Sequence, residues 1–153
     1  MLYLAYGSNL DCRQMIERCP TVRFFCVARL DQHRLDFTRR SRSRNCGVAD
    51  IVAASDTVVW GVVYDLLDSD ITSLDTYEGY NSCRADTSYQ REERYVFTKY
   101  NNQRLAVWTY VANREPNPPK PNAEYKRHIV EGARFWRLPD EYLTMLDLIQ
   151  TDG

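Results

Sequence analysis

The sequence has little that would commit it to metal, disulfide or membrane chemistry. It holds only two histidines, His33 and His128, and no H-x-x-x-H or H-E-x-x-H pair, so a metal site would have to assemble from scattered residues. No metal is expected. Cys12, Cys19, Cys26, Cys46 and Cys83 are odd in number and include no C-x-x-C pair, which fits neither a disulfide framework nor a zinc knuckle and predicts reduced thiols. No apolar run approaches the roughly 20 residues of a membrane helix, so no membrane partner is expected. Neither sign of charge is in excess: the formal net charge is −1 over 153 residues, leaving no global field to gather nucleic acid or anionic lipid. Met1 to Tyr6 reads as a strand without the basic segment and long apolar core of a secretory signal, which predicts cytoplasmic residence. The absence of internal repeats and a length suited to one core predict a single domain over 1–153.

What is present is a chain of short strands followed by helices, an α+β pattern. Residues 2–6 form a strand candidate, Gly7-Ser8-Asn9 a turn, and Asp11 to Cys19 a short helix that Pro20 helps to end. Thr21 to Leu30, Arg34 to Thr38, Gly47 to Ala54 and Val58 to Leu66 are rich in β-branched and aromatic residues, and each predicts a strand. Asp68-Ser69-Asp70 supplies capping oxygens for a helix through Ile71, Leu74 and Tyr77, with Gly79 placed to stop it and Glu78 in its last turn. Arg84 to Tyr100 and Arg104 to Ala112 alternate about Asn101-Asn102-Gln103 as an antiparallel hairpin does. Pro116 to Pro121 predicts an extended loop, and helices follow at Ala123 to Trp136 and Pro139 to Gln150, the latter with Pro139 in its first turn. Many short strands with few helices predict a curled or closed sheet flanked by helices, since closure removes exposed edges.

Two segments carry chemistry. In Tyr3-Leu4-Ala5-Tyr6-Gly7-Ser8-Asn9-Leu10 a buried strand runs into a turn and a helix, so backbone N–H groups and the positive helix end can hold a carboxylate or an oxyanion, with Gly7 permitting close approach. An ordinary turn with Ser8 or Asn9 as helix cap uses the same residues. In Ser73 to Tyr80, Glu78 faces the negative pole of its helix with Asp75 one turn back. Both raise its pKa, and burial would raise it further, as a base working near neutral pH requires. An exposed glutamate at a helix end is the plain alternative. The run Arg39-Arg40-Ser41-Arg42-Ser43-Arg44 is either a solvated loop or a grip for phosphates. Asn45-Cys46-Gly47 with His128 offers a thiol and a base whose separation in space the sequence does not give. Trp60, Trp108 and Trp136 are expected in the core or a pocket wall.

Four runs, in content and order, resemble the γ-glutamylcyclotransferases: Leu2 to Leu10, Phe24-Phe25-Cys26-Val27-Ala28-Arg29-Leu30, Val59-Trp60-Gly61-Val62-Val63-Tyr64 and Leu74-Asp75-x-x-Glu78-Gly79. Tyr125-Lys126 and Gly132-Ala133 extend the resemblance over nearly the whole chain. It implies a small mixed β-barrel flanked by helices and a lyase-type or transferase-type cyclisation of a γ-glutamyl amino acid to 5-oxoproline and free amino acid. Glu78 would be the catalytic acid-base. The stretch Tyr3, Leu4, Ala5, Tyr6, Gly7, Ser8 would bind the glutamyl moiety together with Asn9 of the same turn. Tyr125 would be a further contact, and Tyr110 and Tyr89 fall where the family has tyrosines on barrel strands. No cofactor is implied, because the substrate brings its own nucleophile, and a homodimer is expected by analogy. The related substrates are γ-glutamylamines and glutathione, which would tie the chain to glutathione metabolism, although Tyr-Gly-Ser-Asn-Leu favours the γ-glutamyl amino acid branch. A non-catalytic barrel binding nucleic acid or a partner through Arg39 to Arg44 is the reading of a different class. Ser82 to Ser88 has no clear counterpart in the family.

Overall fold

The computed structural model describes residues 1–153 except 82 and 84–86. Five strands close into a barrel: β1 (Leu2–Ala5), β2 (Arg23–Ser41), β3 (Cys46–Asp65), β4 (Tyr89–Thr98) and β5 (Arg104–Ala112). Their order around the barrel is β1-β3-β2-β4-β5, with β5 returning to β1 in parallel through Tyr3 and Trp108 and every other pairing antiparallel. Four helices flank it: α1 (Cys12–Arg18), α2 (Asp68–Glu78), α3 (Ala123–Phe135) and α4 (Asp140–Asp147). This is the mixed barrel with flanking helices that the sequence implies. Among the described residues no helix is long and apolar enough to cross a membrane.

The four short strands expected between 21 and 66 are two long ones. The ladder from Arg23↔Asp65 to Ser41↔Cys46 runs through the polar interruptions at Asp31-Gln32-His33 and Ser55-Asp56-Thr57. Residues 54–57 stand opposite the single Gln32, and both Gln32 and Asp56 take positive φ. The hydroxyl of Thr57 donates to the carbonyls of His33 (2.8 Å) and Ala54 (2.9 Å), closing the irregularity. A bulge thus absorbs polar residues that alternation alone reads as chain breaks. Arg39 to Ser41 likewise finish β2, and only residues 42–45 make the turn into β3.

Other bounds shift for local reasons. β4 begins at Tyr89 rather than Arg84, which lies outside the described residues together with Ser82, Ala85 and Asp86. The N-cap of α2 is Leu67, with no side-chain cap; Asp70 instead accepts from the hydroxyl of Thr21. Pro139 is the N-cap of α4 rather than its first turn, and the helix ends at Asp147, where i→i+3 bonds from Leu148 and Ile149 tighten the last turn. α1 is capped by Asp11, whose carboxylate accepts from the N–H of Arg13 at 3.0 Å.

Two close approaches fix the elements that carry the site. A Cβ on Gly47 would fall 1.9 Å from the carbonyl oxygen of Pro119, so the proline-rich segment lies directly on the start of β3. A Cβ on Gly132 would fall 2.3 Å from the carbonyl carbon of Leu10, so α3 rests on the turn that follows β1. Trp136 Nε1 donates to the carbonyl of Leu10 at 3.0 Å, and His128 Nδ1 meets Asp11 Oδ2 at 2.6 Å, both tightening that contact.

Candidate active site

A pocket is lined by Tyr3, Tyr6, Gly7, Ser8, Asn9, Ala49, Glu78, Tyr89, Tyr110 and Tyr125. Each comes from a separately determined piece of structure. β1 gives Tyr3, and the turn of 3-10 helix at Ser8–Leu10 gives Ser8 and Asn9 just after Tyr6 and Gly7. Glu78 is the last residue of α2, before Gly79 at φ 67°, a left-handed conformation suited to glycine, reverses the chain. Tyr125 sits in the first turn of α3, where its N–H donates to the capping side chain of Asn122 at 2.8 Å. Gly7 lies tight against the wall: a Cβ there would meet Ala49 Cβ at 3.1 Å and the Tyr125 hydroxyl at 3.4 Å.

Of the stretch expected to bind the glutamyl group, Leu4 and Ala5 do not reach the pocket. Both are wholly buried in the core. Leu4 points to the opposite side of β1 from Tyr3, and the single methyl of Ala5 is too short to extend beyond the core. Tyr110 and Tyr125, expected on resemblance, do line it, and so does Tyr89. Of the thiol and base singled out in sequence, His128 is bonded to Asp11 and Cys46 lies at the start of β3; neither lines this pocket.

The carboxylate of Glu78 is held by a chain of polar side chains. Asn9 Oδ1 accepts from Gln14 Nε2 and Arg18 Nη1, each at 3.0 Å, and Asn9 Nδ2 donates to Glu78 Oε1 at 3.1 Å and to the Tyr3 hydroxyl at 3.0 Å. Gln14 Nε2 also donates to Ser8 Oγ at 2.8 Å, and Arg44 Nη2 donates to Gln14 Oε1 at 2.7 Å. Arg18 stands 3.6 Å from Glu78 Oε1. Gln14 and Arg18 were not singled out by the sequence as site residues, and Arg44 only as the end of the basic run. Gln14 and Arg18 are four apart in the predicted first helix, so a shared face was readable there.

Burial pushes the pKa of Glu78 above the ordinary 4.5; Arg18, Arg44 and the Asn9 hydrogen bond pull it down, and Asp75 adds to the rise. The direction is the expected one, with desolvation rather than Asp75 as its main source. Asp75 is itself engaged, accepting from the Tyr110 hydroxyl at 2.6 Å with Arg91 Nε at 3.7 Å. The phenols are neutral structural donors and acceptors. Tyr6 donates to the carbonyl of Tyr110 (2.5 Å) and Tyr89 to that of Ala49 (2.6 Å), while Tyr125 accepts from the N–H of Ala49 (3.0 Å), its pKa raised by burial to about 12. The result is a rigid aromatic pocket with one carboxyl group whose proton affinity lies above normal.

The AIG2-like family matches residues 58–146. The human protein named γ-glutamylcyclotransferase is 37% identical over 153 residues, covering 97% of this chain and 78% of its own length. A solved structure of a γ-glutamyl cyclotransferase superposes with a TM-score of 0.89 at 34% identity, covering 99% of this chain and 89% of that one. A yeast γ-glutamyl cyclotransferase specific to glutathione shares the fold at a TM-score of 0.64 and 15% identity, covering 95% of this chain and 93% of that chain. By sequence over nearly its whole length, and by fold, the chain belongs to the AIG2-like family of γ-glutamylcyclotransferase enzymes.

Proposed function

We propose that the chain cyclises γ-glutamyl amino acids to 5-oxoproline and free amino acid, with Glu78 as the acid-base group. The observation that carries this reading is a carboxyl group of raised pKa, 17% exposed and fixed by Asn9, in the wall of a pocket otherwise made of tyrosines and the 7–9 turn. The substrate's α-amine attacks its own γ-carbonyl carbon; the new C–N bond closes the five-membered ring, the γ-amide C–N bond breaks, and the leaving amine takes a proton. Because nucleophile and electrophile share one molecule, the protein supplies a folded substrate conformation and a proton carrier. The α-amine starts as ammonium with a pKa of about 8, and an ordinary glutamate at about 4.3 would accept its proton uphill by roughly 5 kcal/mol. Each unit by which burial raises Glu78 recovers about 1.4 kcal/mol of that difference. The same carboxyl then returns the proton to the leaving nitrogen.

Release of 5-oxoproline from L-γ-glutamyl-L-alanine tests the reaction, with glutathione as a parallel substrate. Glu78→Gln keeps the shape and the Asn9 contact but removes the base, and is expected to lower kcat by about 100-fold or more. Near-normal turnover in that variant sinks the assignment. We also propose that the reaction runs in the cytoplasm, a reducing setting that suits its five free cysteines, and in a homodimer. The homodimer is supported by the exposed Phe24 and Phe135, whose rings pack on Trp136, and by the half-exposed Phe25; light scattering that returns 18.0 kDa would sink it.

A further inference from the structure

The pocket of Glu78 is narrow, about 30 Å³, roughly the room of two ordered waters. Beside it lies a basin of about 780 Å³ that shares Ser8, Glu78, Tyr89 and Tyr125 with it. The two form one depression with Glu78 at the junction, and a substrate reaching Glu78 must leave part of its length in the basin. Arg18, Arg39, Arg40, Arg42 and Arg44 line the basin, against the carboxylates of Glu78 and Glu115. Two of these arginines face those carboxylates: Arg18 stands 3.6 Å from Glu78, and Arg39 stands 3.9 Å from Glu115.

The side chains of the remaining three form no ion pair with a described carboxylate, although the Arg40 N–H donates to Glu115 Oε1 at 2.9 Å and Arg44 acts on Glu78 at longer range. Arg40 Nη1 donates to Asn45 Oδ1 at 3.0 Å. Arg44 is held by neutral groups, Gln14 Oε1 at 2.7 Å and Ser8 Oγ at 3.4 Å, with its guanidinium 4.9 Å from the centre of the Tyr125 ring. Arg42 is exposed at the hairpin turn. The chain has almost no net charge, so this surplus of positive charge is local, and it borders the base.

We propose that the arginine basin is a subsite for the leaving group and that it selects γ-glutamyl compounds whose leaving group is anionic. This rests on the cyclotransferase reading above. In a γ-glutamyl amino acid the leaving residue's α-carboxylate carbon is two bonds, roughly 2.5 Å, from the nitrogen that Glu78 protonates. That keeps the carboxylate at the mouth of the basin, where Arg18 and Arg44, both near enough to act on Glu78, present planar forks that suit it. A second carboxylate on the leaving side chain extends toward Arg40 and Arg42. A γ-glutamylamine offers these arginines nothing and leaves their field unused.

The test compares kcat/KM for γ-glutamyl-methylamide, γ-glutamyl-alanine and γ-glutamyl-glutamate, whose leaving groups carry zero, one and two carboxylates. Efficiency should rise about tenfold with the first carboxylate and several-fold with the second, the gain shrinking as salt is added. In Arg44→Gln the ratio of alanine to methylamide substrate should collapse toward one. In Arg40→Gln/Arg42→Gln, which alters exposed side chains only, the ratio of glutamate to alanine substrate should do so. Ratios within one variant cancel any general loss of active protein. Equal efficiencies in the unaltered protein, or ratios unmoved by both variants, overturn the proposal. So does an enzyme blind to substrate charge that retains a single-stranded RNA oligonucleotide through these arginines. If folded protein turns over none of the three, the cyclotransferase reading fails separately. Calorimetric binding of γ-glutamyl-glutamate against γ-glutamyl-methylamide then still decides whether the basin prefers the anion.

Discussion

Asn9 can satisfy Arg18 and Gln14 only through Oδ1, because both present donors, and this leaves Nδ2 to face Glu78 and Tyr3. One amide therefore fixes the proposed base, Glu78, and transmits the charge of α1 to it. The pKa of Glu78 lies above 4.5, so its basic form is lost, and the rate falls, as the pH drops through a value higher than an ordinary glutamate's. Arg18→Gln removes the largest influence holding that pKa down. The acid limb of the kcat/KM profile should then move to higher pH, with a loss of roughly three- to tenfold on the acid side that shrinks on the plateau. A limb that stays put, or moves down, refutes the electrostatic role. The same raised pKa means that Glu78 adds most to stability below about pH 4.5, where it is protonated in both states, and loses that contribution as the pH rises through its folded-state pKa. Glu78 was placed by the helix-stopping glycine after it and singled out by the family resemblance, since local sequence alone reads equally as an exposed glutamate. Arg44 was not so placed, because 34 residues of chain separate it from Glu78 and only the β2–β3 hairpin sets its distance from the pocket.

Helix α3 acts as a clamp on the 8–10 turn, and its grip depends on the absence of one methyl group. At Gly132 a Cβ would fall 2.4 Å from the carbonyl oxygen of Leu10 and 2.5 Å from the N–H nitrogen of Asp11, both backbone atoms with no rotamer to move away. Gly132→Ala must push α3 off the turn that carries Ser8 and Asn9, and with it Tyr125 from the opposite pocket wall. Overpacking of this kind costs about 3 kcal/mol, readable as a lower midpoint in urea, and cyclotransferase activity should fall even under conditions where the variant stays folded. Unchanged stability and rate would mean that the contact is slack. The helix was expected at Ala123 to Trp136 and runs over Ala123–Phe135, with the side chain of Asn122 as its cap. What α3 packs against was not readable, since nothing local to 123–135 names residues 8–11 as its partner. Within the sheet, β-branched and aromatic enrichment identified the residues of β2 and β3 but divided each strand in two, because a polar bulge and a polar loop look alike until the ladder across them is seen.

Closure of the barrel depends on contacts that no local pattern specifies. β1 joins β5 in parallel across a sequence separation of about a hundred residues, and the buried Asp50 ties three strands nearby. Its Oδ1 accepts from the N–H groups of Ile51 (2.8 Å) and Ala112 (3.0 Å), and its Oδ2 from Thr38 Oγ1 (2.8 Å) and Arg114 Nε (3.0 Å). β3 is thereby joined to β2 and to the end of β5. The burial of Asp50 follows from closure, which brings Ala112 and Arg114 over it. The same stretch of β3 carries Ala49, whose N–H and carbonyl hold the hydroxyls of Tyr125 and Tyr89, so the pocket and the closure share one strand segment. Asp50→Ala strands the Ala112 N–H and the Thr38 hydroxyl without their acceptor. Arg114 loses less, being half exposed and able to turn to water. The expected cost is about 3 kcal/mol in urea unfolding, with Asp50→Asn losing roughly half as much because its remaining oxygen still accepts. If Asp50→Ala unfolds at the same denaturant concentration as the unaltered chain, the carboxylate is incidental to closure, and the β1–β5 pairing must hold the barrel shut by itself.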